Sequence, residues 1–211
     1  MTAHSAALVR KNEYAWQGMM VRAGFSLVFA LLMAVSANTF FYLPFTPIPV
    51  TLQVLTVIFS AIMLGGRWAL VSQAAYIALG LAGLPVFAGF ISGPAALLGP
   101  TGGYILGFAP AAYIAGSLAG GRYFSTFVRK NRFISVFIAG MSGLLVIYLL
   151  GALHLWGFLS GILPGQGLKE IIVLTWIMGV RPFIIMDMAK ILAAMIILAP
   201  GIKAYEDYKN K

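Results

Sequence analysis

Read from its sequence alone, the 211-residue chain is predicted to be an all-α membrane protein of six transmembrane helices, for three reasons. Apolar residues make up 61% of it and charged residues 9%, against roughly a quarter charged in soluble domains. Charges are absent from residues 23–66 and 68–121 and, with His154 neutral, from 133–168; each stretch exceeds the ~20 residues of a spanning helix. The positive residues are also segregated among the connectors, as topogenic charges are.

The expected organisation is an N-terminal cytoplasmic tail (1–22), a six-helix transmembrane domain (23–202) and a short cytoplasmic tail (203–211). The first span, 23–37, follows Arg10, Lys11 and Arg22. It ends in Val35-Ser36-Ala37, a passable signal-peptidase site, but the polar lead is long for a signal peptide and the run is expected to be retained. Ala30 and Ala34 follow the small-xxx-small spacing that permits close helix approach, either inside this chain or against a second membrane protein. The spans at 52–64 and 68–81 are short for the hydrocarbon thickness. Those at 103–120, 133–154 and 183–199 complete the six.

Orientation follows from the basic residues. Arg10, Lys11, Arg22, Arg67, Arg122, Arg129, Lys130, Arg132, Lys203, Lys209 and Lys211 fall on one side and only Lys169 and Arg181 on the other. Both termini are therefore expected in the cytoplasm. The net charge of +9 reads as topogenic and not as a nucleic-acid face, because the basic residues crowd a connector with no aromatic platform. The chain has no Cys, which excludes disulfides and thiol chemistry.

The opposite connectors hold Pro44, Pro47, Pro49, Pro85, Pro94, Pro100, Pro164 and Pro182, eight of the ten prolines. Residues 39–50 read TFFYLPFTPIPV and 83–100 read GLPVFAGFISGPAALLGP. Irregular apolar backbone of this kind is tolerated at membrane depth when it packs into protein or lines a cavity. These outer loops are accordingly expected to fold inward over a ligand pocket, with rigid connectors on the headgroups as the alternative.

Asp187 and Lys190 lie i, i+3 on the last helix and so share a face. Each intramembrane charge costs ~2.5–3.5 kcal/mol on insertion scales and commonly marks a substrate or ion path; a self-neutralised packing pair is the other reading. Arg181, beside Pro182, fits anion attraction and interfacial snorkelling equally. His154 and His4 cannot build a metal site, since the carboxylates other than Asp187 all lie outside the spans. Gly99-Pro100-Thr101-Gly102-Gly103-Tyr104 places a turn, a hydroxyl and an aromatic at the start of the fourth span. No G-x-x-x-x-G-K-[ST] pattern exists in the chain, so nucleotide hydrolysis through a P-loop is excluded.

Thr46 to Gln53 (TPIPVTLQ), Tyr76 to Phe87 (YIALGLAGLPVF), Gly99 to Phe108 (GPTGGYILGF) and Arg181 to Lys190 (RPFIIMDMAK) occur in that order. Together they resemble the BioY family, the biotin-specific substrate-binding S components of energy-coupling factor (ECF) transporters. The resemblance spans nearly the whole chain; Arg181 departs from the apolar residue expected there. It implies a subunit of the cell membrane that captures biotin and works with a transmembrane coupling subunit and two ATPase subunits, needing no cofactor. It carries the biotin site onto Asp187 and Lys190, with Gln53 and Thr101 as hydrogen-bonding groups and Tyr76, Phe87 and Tyr104 as wall. It carries partner docking onto Ala30 and Ala34. A solitary or proton-coupled carrier of biotin or a similar vitamin, with Asp187 titrating, is the alternative within transport. A small membrane enzyme using Asp187 and Lys190 as acid and base is the alternative outside it.

Overall fold

The computed structural model describes residues 3–119 and 132–209 of the chain. Arg122, Arg129, Lys130 and Lys211 lie outside the described residues. The fold is mostly helical: α1 (Ala3–Ala37), α2 (Gln53–Leu64), α3 (Gly66–Leu81), α4 (Ala95–Leu98), α5 (Gly102–Ala119), α6 (Arg132–Ile162), α7 (Leu168–Gly179) and α8 (Ile184–Lys209). Strands β1 (Phe40–Phe41) and β2 (Val50–Thr51) pair antiparallel, with Phe40 opposite Thr51 and Phe41 opposite Val50. Among the described residues, Gln17–Ala37, Gly102–Ala119, Phe133–Ile162 and Leu168–Leu198 are long and apolar enough to cross a membrane. This is a multi-pass membrane protein.

Each apolar run of the sequence becomes a helix. The helices outrun the apolar stretches at both ends: α1 begins within the residues read as a tail, and α6 continues past His154 to Ile162. At 12 and 16 residues, α2 and α3 are roughly 18 and 24 Å long, short of the ~30 Å hydrocarbon core.

One element was not expected. Residues 168–179 form α7, although Lys169, Arg181 and the neighbouring glycines mark them as connector. The helix starts where Gly167 N–H donates to the Glu170 carboxylate at 3.1 Å, half of a capping box. It ends before Pro182, which has no N–H to continue it.

Small residues set the helix spacing. Gly65, with φ of +74°, turns the chain between α2 and α3. A Cβ at Gly116 would stand 2.6 Å from Gly66 N and 2.8 Å from Ala61 O, so α5 meets this corner backbone to backbone, as membrane helices do where side chains are absent. Buried hydroxyls and amides add interhelical bonds. Ser26 donates to Trp68 O at 3.0 Å, Ser36 and Thr56 share a hydrogen bond at 2.5 Å, and Gln73 donates to Ser60 at 3.1 Å.

The helix-1 stripe resolves unevenly. Ala30 has no exposed surface and belongs to the core, whereas Ala34 is half-buried. The Ala30 methyl packs within the chain, and the apolar residues α1 presents outward beside it include Leu27, Val28, Leu31, Leu32 and Val35.

The α5 contact yields a direct expectation. Gly116→Val should lower the stability of the folded protein in detergent by about 1–3 kcal/mol, the usual cost of overpacking, whereas Gly18→Val, where a Cβ meets nothing within 4 Å, should be near neutral. Thermal unfolding of the two variants side by side checks this.

Candidate ligand-binding site

Both proline-rich connectors bury part of their length. Thr46, Ile48 and Val50 from the β1–β2 hairpin are buried, and Phe87 is 1% exposed. Ile48 and Phe87 line a cavity of about 470 Å³, within the ~300–1,000 Å³ typical of small-molecule sites. Its lining draws on the hairpin, the start of α2, the 87–101 connector, and one face each of α5, α6 and α8.

The hairpin is held by the break between α7 and α8. A helix end leaves carbonyls without partners, and at membrane depth such groups need internal donors. The Thr46 hydroxyl donates to Met178 O at 2.6 Å and the Tyr104 hydroxyl to Gly179 O at 2.8 Å. The Tyr104 ring can reach that carbonyl because it lies over Gly151, where a Cβ would collide with it; a Cβ at Gly179 would meet its hydroxyl. His154 pins the neighbouring turn through a 2.9 Å hydrogen bond between its Nε2 and Gly99 O, so Gly99, Pro100 and Thr101 form a fixed wall of the cavity.

The polar groups gather in two sets. In one, the Lys190 ammonium donates to Asp187 Oδ1 at 2.6 Å and the Tyr148 hydroxyl to Asp187 Oδ2 at 2.7 Å. Asp187 is 3% exposed, and all three residues line the cavity. In the other, Thr51 donates to Gln53 Oε1 at 3.1 Å while Gln53 Nε2 donates to Tyr76 Oη at 3.0 Å. These two bonds orient the amide, leaving its second N–H and its remaining acceptor capacity. Ile48, Val54, Phe87, Ile105, Phe108 and Phe183 supply apolar surface around both sets.

Of the residues singled out from the sequence, Gln53, Phe87, Thr101, Tyr104, Asp187 and Lys190 line this one cavity. Tyr76 does not. It is fully buried behind the wall, holding Gln53 and meeting the Phe87 ring edge-on at 5.5 Å. Arg181 is exposed and outside the lining. Sequence reasoning missed Tyr148, the single tyrosine between residues 133 and 154. A phenol in an otherwise apolar span needs a hydrogen-bond partner, and that requirement was the available signal. Thr51 was also missed, and it lies only two residues before Gln53.

An apolar chamber with a carboxylate, an ammonium, a phenol and an oriented amide suits a small, partly polar organic molecule that carries both donors and acceptors. Residues 12–207 match the BioY family. The biotin transporter BioY of Thermotoga maritima is 36% identical over 178 residues, 84% of this chain and 92% of that protein. The probable biotin transporter BioY of Pyrococcus horikoshii is 40% identical over 151 residues, 72% of this chain and 78% of its own length. A crystal structure described as the S-component for biotin from an ECF-type ABC transporter shares the fold, with a TM-score of 0.71 over 89% of this chain and 93% of that one at 23% identity. With a family match that runs through all the helices that build the cavity, this chain belongs to the BioY family.

Proposed function

We propose that this protein is the substrate-binding subunit of an ECF-type importer and captures biotin in the cavity between the connectors and α8. The observation that carries the proposal is the pairing of the Asp187–Lys190–Tyr148 cluster with the Gln53 amide across an apolar chamber. Biotin has a neutral ureido ring with two N–H donors and a carbonyl acceptor, an apolar thioether ring and an anionic tail. Asp187 offers acceptor capacity for a ureido N–H, and Lys190 offers donors for a carbonyl or carboxylate. Gln53 and Thr101 provide orienting bonds, while Phe87 and Tyr104 form wall and Tyr76 backs Gln53. The names of the curated relatives support the choice of ligand.

In this reading the protein sits in the cell membrane with α1, α2, α3, α5, α6 and α8 as its six spans and both termini in the cytoplasm. It acts in transport and not as an enzyme. Energy comes from a transmembrane coupling subunit and two ATPase subunits, in keeping with the missing P-loop. Docking on α1 uses Ala34 and the outward apolar residues beside it, with Ala30 inside.

The purified protein should bind radiolabelled biotin at sub-micromolar concentration without consuming it, and unrelated vitamins should not compete. Absence of binding would end the proposal. Asp187→Asn and Lys190→Met should each weaken binding at least ~10-fold, because a buried partner left unpaired costs more than a net hydrogen bond. Tyr148→Phe should weaken it less. Isothermal titration of the folded variants reads these effects, and wild-type affinity in the first two would point to a packing pair. Ala34→Trp should retain biotin binding yet lose co-purification with the coupling subunit, whereas Ala30→Trp should lower the stability of the isolated subunit. Unimpaired assembly with Ala34→Trp would move the docking surface elsewhere.

A further inference from the structure

The connector after α3 turns back on itself. Phe87 N–H donates to Ile91 O at 3.1 Å, closing an isolated antiparallel bridge, and Gly93 N–H donates to Gly80 O at 2.8 Å. Phe87, Ala88 and Ile91 all line the cavity, so this small hairpin is one of its walls. Its base is firmly seated, with the Phe87 ring lying over Gly80, where a Cβ would strike it.

The tip is held differently. Gly89 and Phe90 have φ of +77° and +58°, and Phe90 is the only non-glycine residue with positive φ among the described residues. A bulky side chain in this region of backbone space is strained. The Phe90 side chain gives little support in return, since the residue is 70% exposed. The tip is tied instead through its backbone: Phe90 N–H donates to Asn38 Oδ1 at 2.8 Å. Asn38 directly follows α1, and its Nδ2 donates to Ala34 O at 3.0 Å. That second bond fixes which end of the amide faces Phe90.

We propose that Asn38 is a positioning residue for the cavity, a latch that keeps the 87–91 hairpin closed over it, and that the passage of ligand requires the Asn38–Phe90 hydrogen bond to part. The inference rests on the binding reading above for its ligand, though not for its geometry. Another wall, Gly99–Thr101, is pinned by the partly buried His154 bond, whereas the Asn38–Phe90 bond is exposed. Water competes for an exposed bond, and opening relieves the left-handed strain at Phe90, so this wall yields first. Because Asn38 is tied to the last turn of α1, displacement of α1 reaches the latch directly.

Two measurements on the full chain test the latch. The chain has no cysteine, so Ala88→Cys gives a single thiol in the cavity wall. In ligand-free protein, Asn38→Leu should speed its labelling by a soluble maleimide about 3–10-fold, the factor one net hydrogen bond supports. The same substitution in the cysteine-free chain should speed release of preloaded biotin by a similar factor. Asn38→Asp, which keeps the acceptor, should recover part of the wild-type labelling rate. If Asn38→Leu perturbs folding, Asn38→Cys with Phe90→Cys, joined by a short bifunctional maleimide, should slow release at least ~10-fold. Unchanged labelling with Asn38→Leu, or unchanged release after cross-linking, overturns the latch. Failure of the wild type to bind biotin overturns the ligand reading alone, and the labelling result still decides the latch.

Discussion

The constraint on which the rest of the structure depends is that backbone polar groups at membrane depth must find partners inside the protein. The α7–α8 break at Arg181–Pro182 creates that need, and the Thr46 and Tyr104 hydroxyls answer it at Met178 O and Gly179 O. Satisfying two carbonyls has consequences well beyond them. It draws the proline-rich hairpin onto the bundle and seats Tyr104 between Gly151 and Gly179. It also fixes the start of α8, one turn before Asp187. The cavity occupies the space these connections enclose, so its walls follow from the repair of a helix break.

The charged cluster follows a related logic. An ion pair removed from water gains little net stability, because desolvation consumes most of the Coulombic attraction. Packing alone would be served as well by apolar side chains of similar volume. Here Asp187 receives hydrogen bonds on both oxygens and still lines a cavity, as do its partners. Such an arrangement holds a carboxylate in one orientation while leaving part of it, and of the ammonium, available. Gln53 is treated in the same way by Thr51 and Tyr76. Polar groups held in fixed directions on one apolar cavity are what a small-molecule site uses to orient its ligand.

Much of this was legible in the sequence for local reasons. Long charge-free runs hold helices in a bilayer, the i, i+3 spacing of Asp187 and Lys190 puts them on one face, and uncharged proline-rich loops were expected either to cover a pocket or to rest on the headgroups as rigid connectors. What was hidden depends on tertiary direction. Residues 168–179 contain Lys169 and Glu170 and follow Pro164, Gly165 and Gly167, so charge and turn signals outweighed an apolar run that nevertheless forms α7. Small-xxx-small spacing at Ala30 and Ala34 announces close packing but not against what; only the fold turns Ala30 inward. Tyr76 has the composition of a wall residue yet acts one layer behind it, and Tyr148 was overlooked because nothing local couples it to a helix 39 residues away.

The helices themselves have little freedom to open the cavity. Gly116 meets the α2–α3 corner at backbone distance, and a Cβ at Gly103 would collide with His154 and stand 2.5 Å from Leu150 O. Contacts this close do not slide gradually, because a packed interface has discrete arrangements and no continuous range of them. In the latch proposal the movement falls instead to the 87–91 tip, whose bond to Asn38 is exposed and open to competition from water. The same proline and glycine content that lets the connectors line a cavity limits how they can move: φ is fixed at each proline, and reversal is concentrated at Gly83, Gly89, Phe90 and Gly93. Close-packed helices joined by turning connectors separate two demands on any enclosed ligand site, an oriented set of polar groups and a way in.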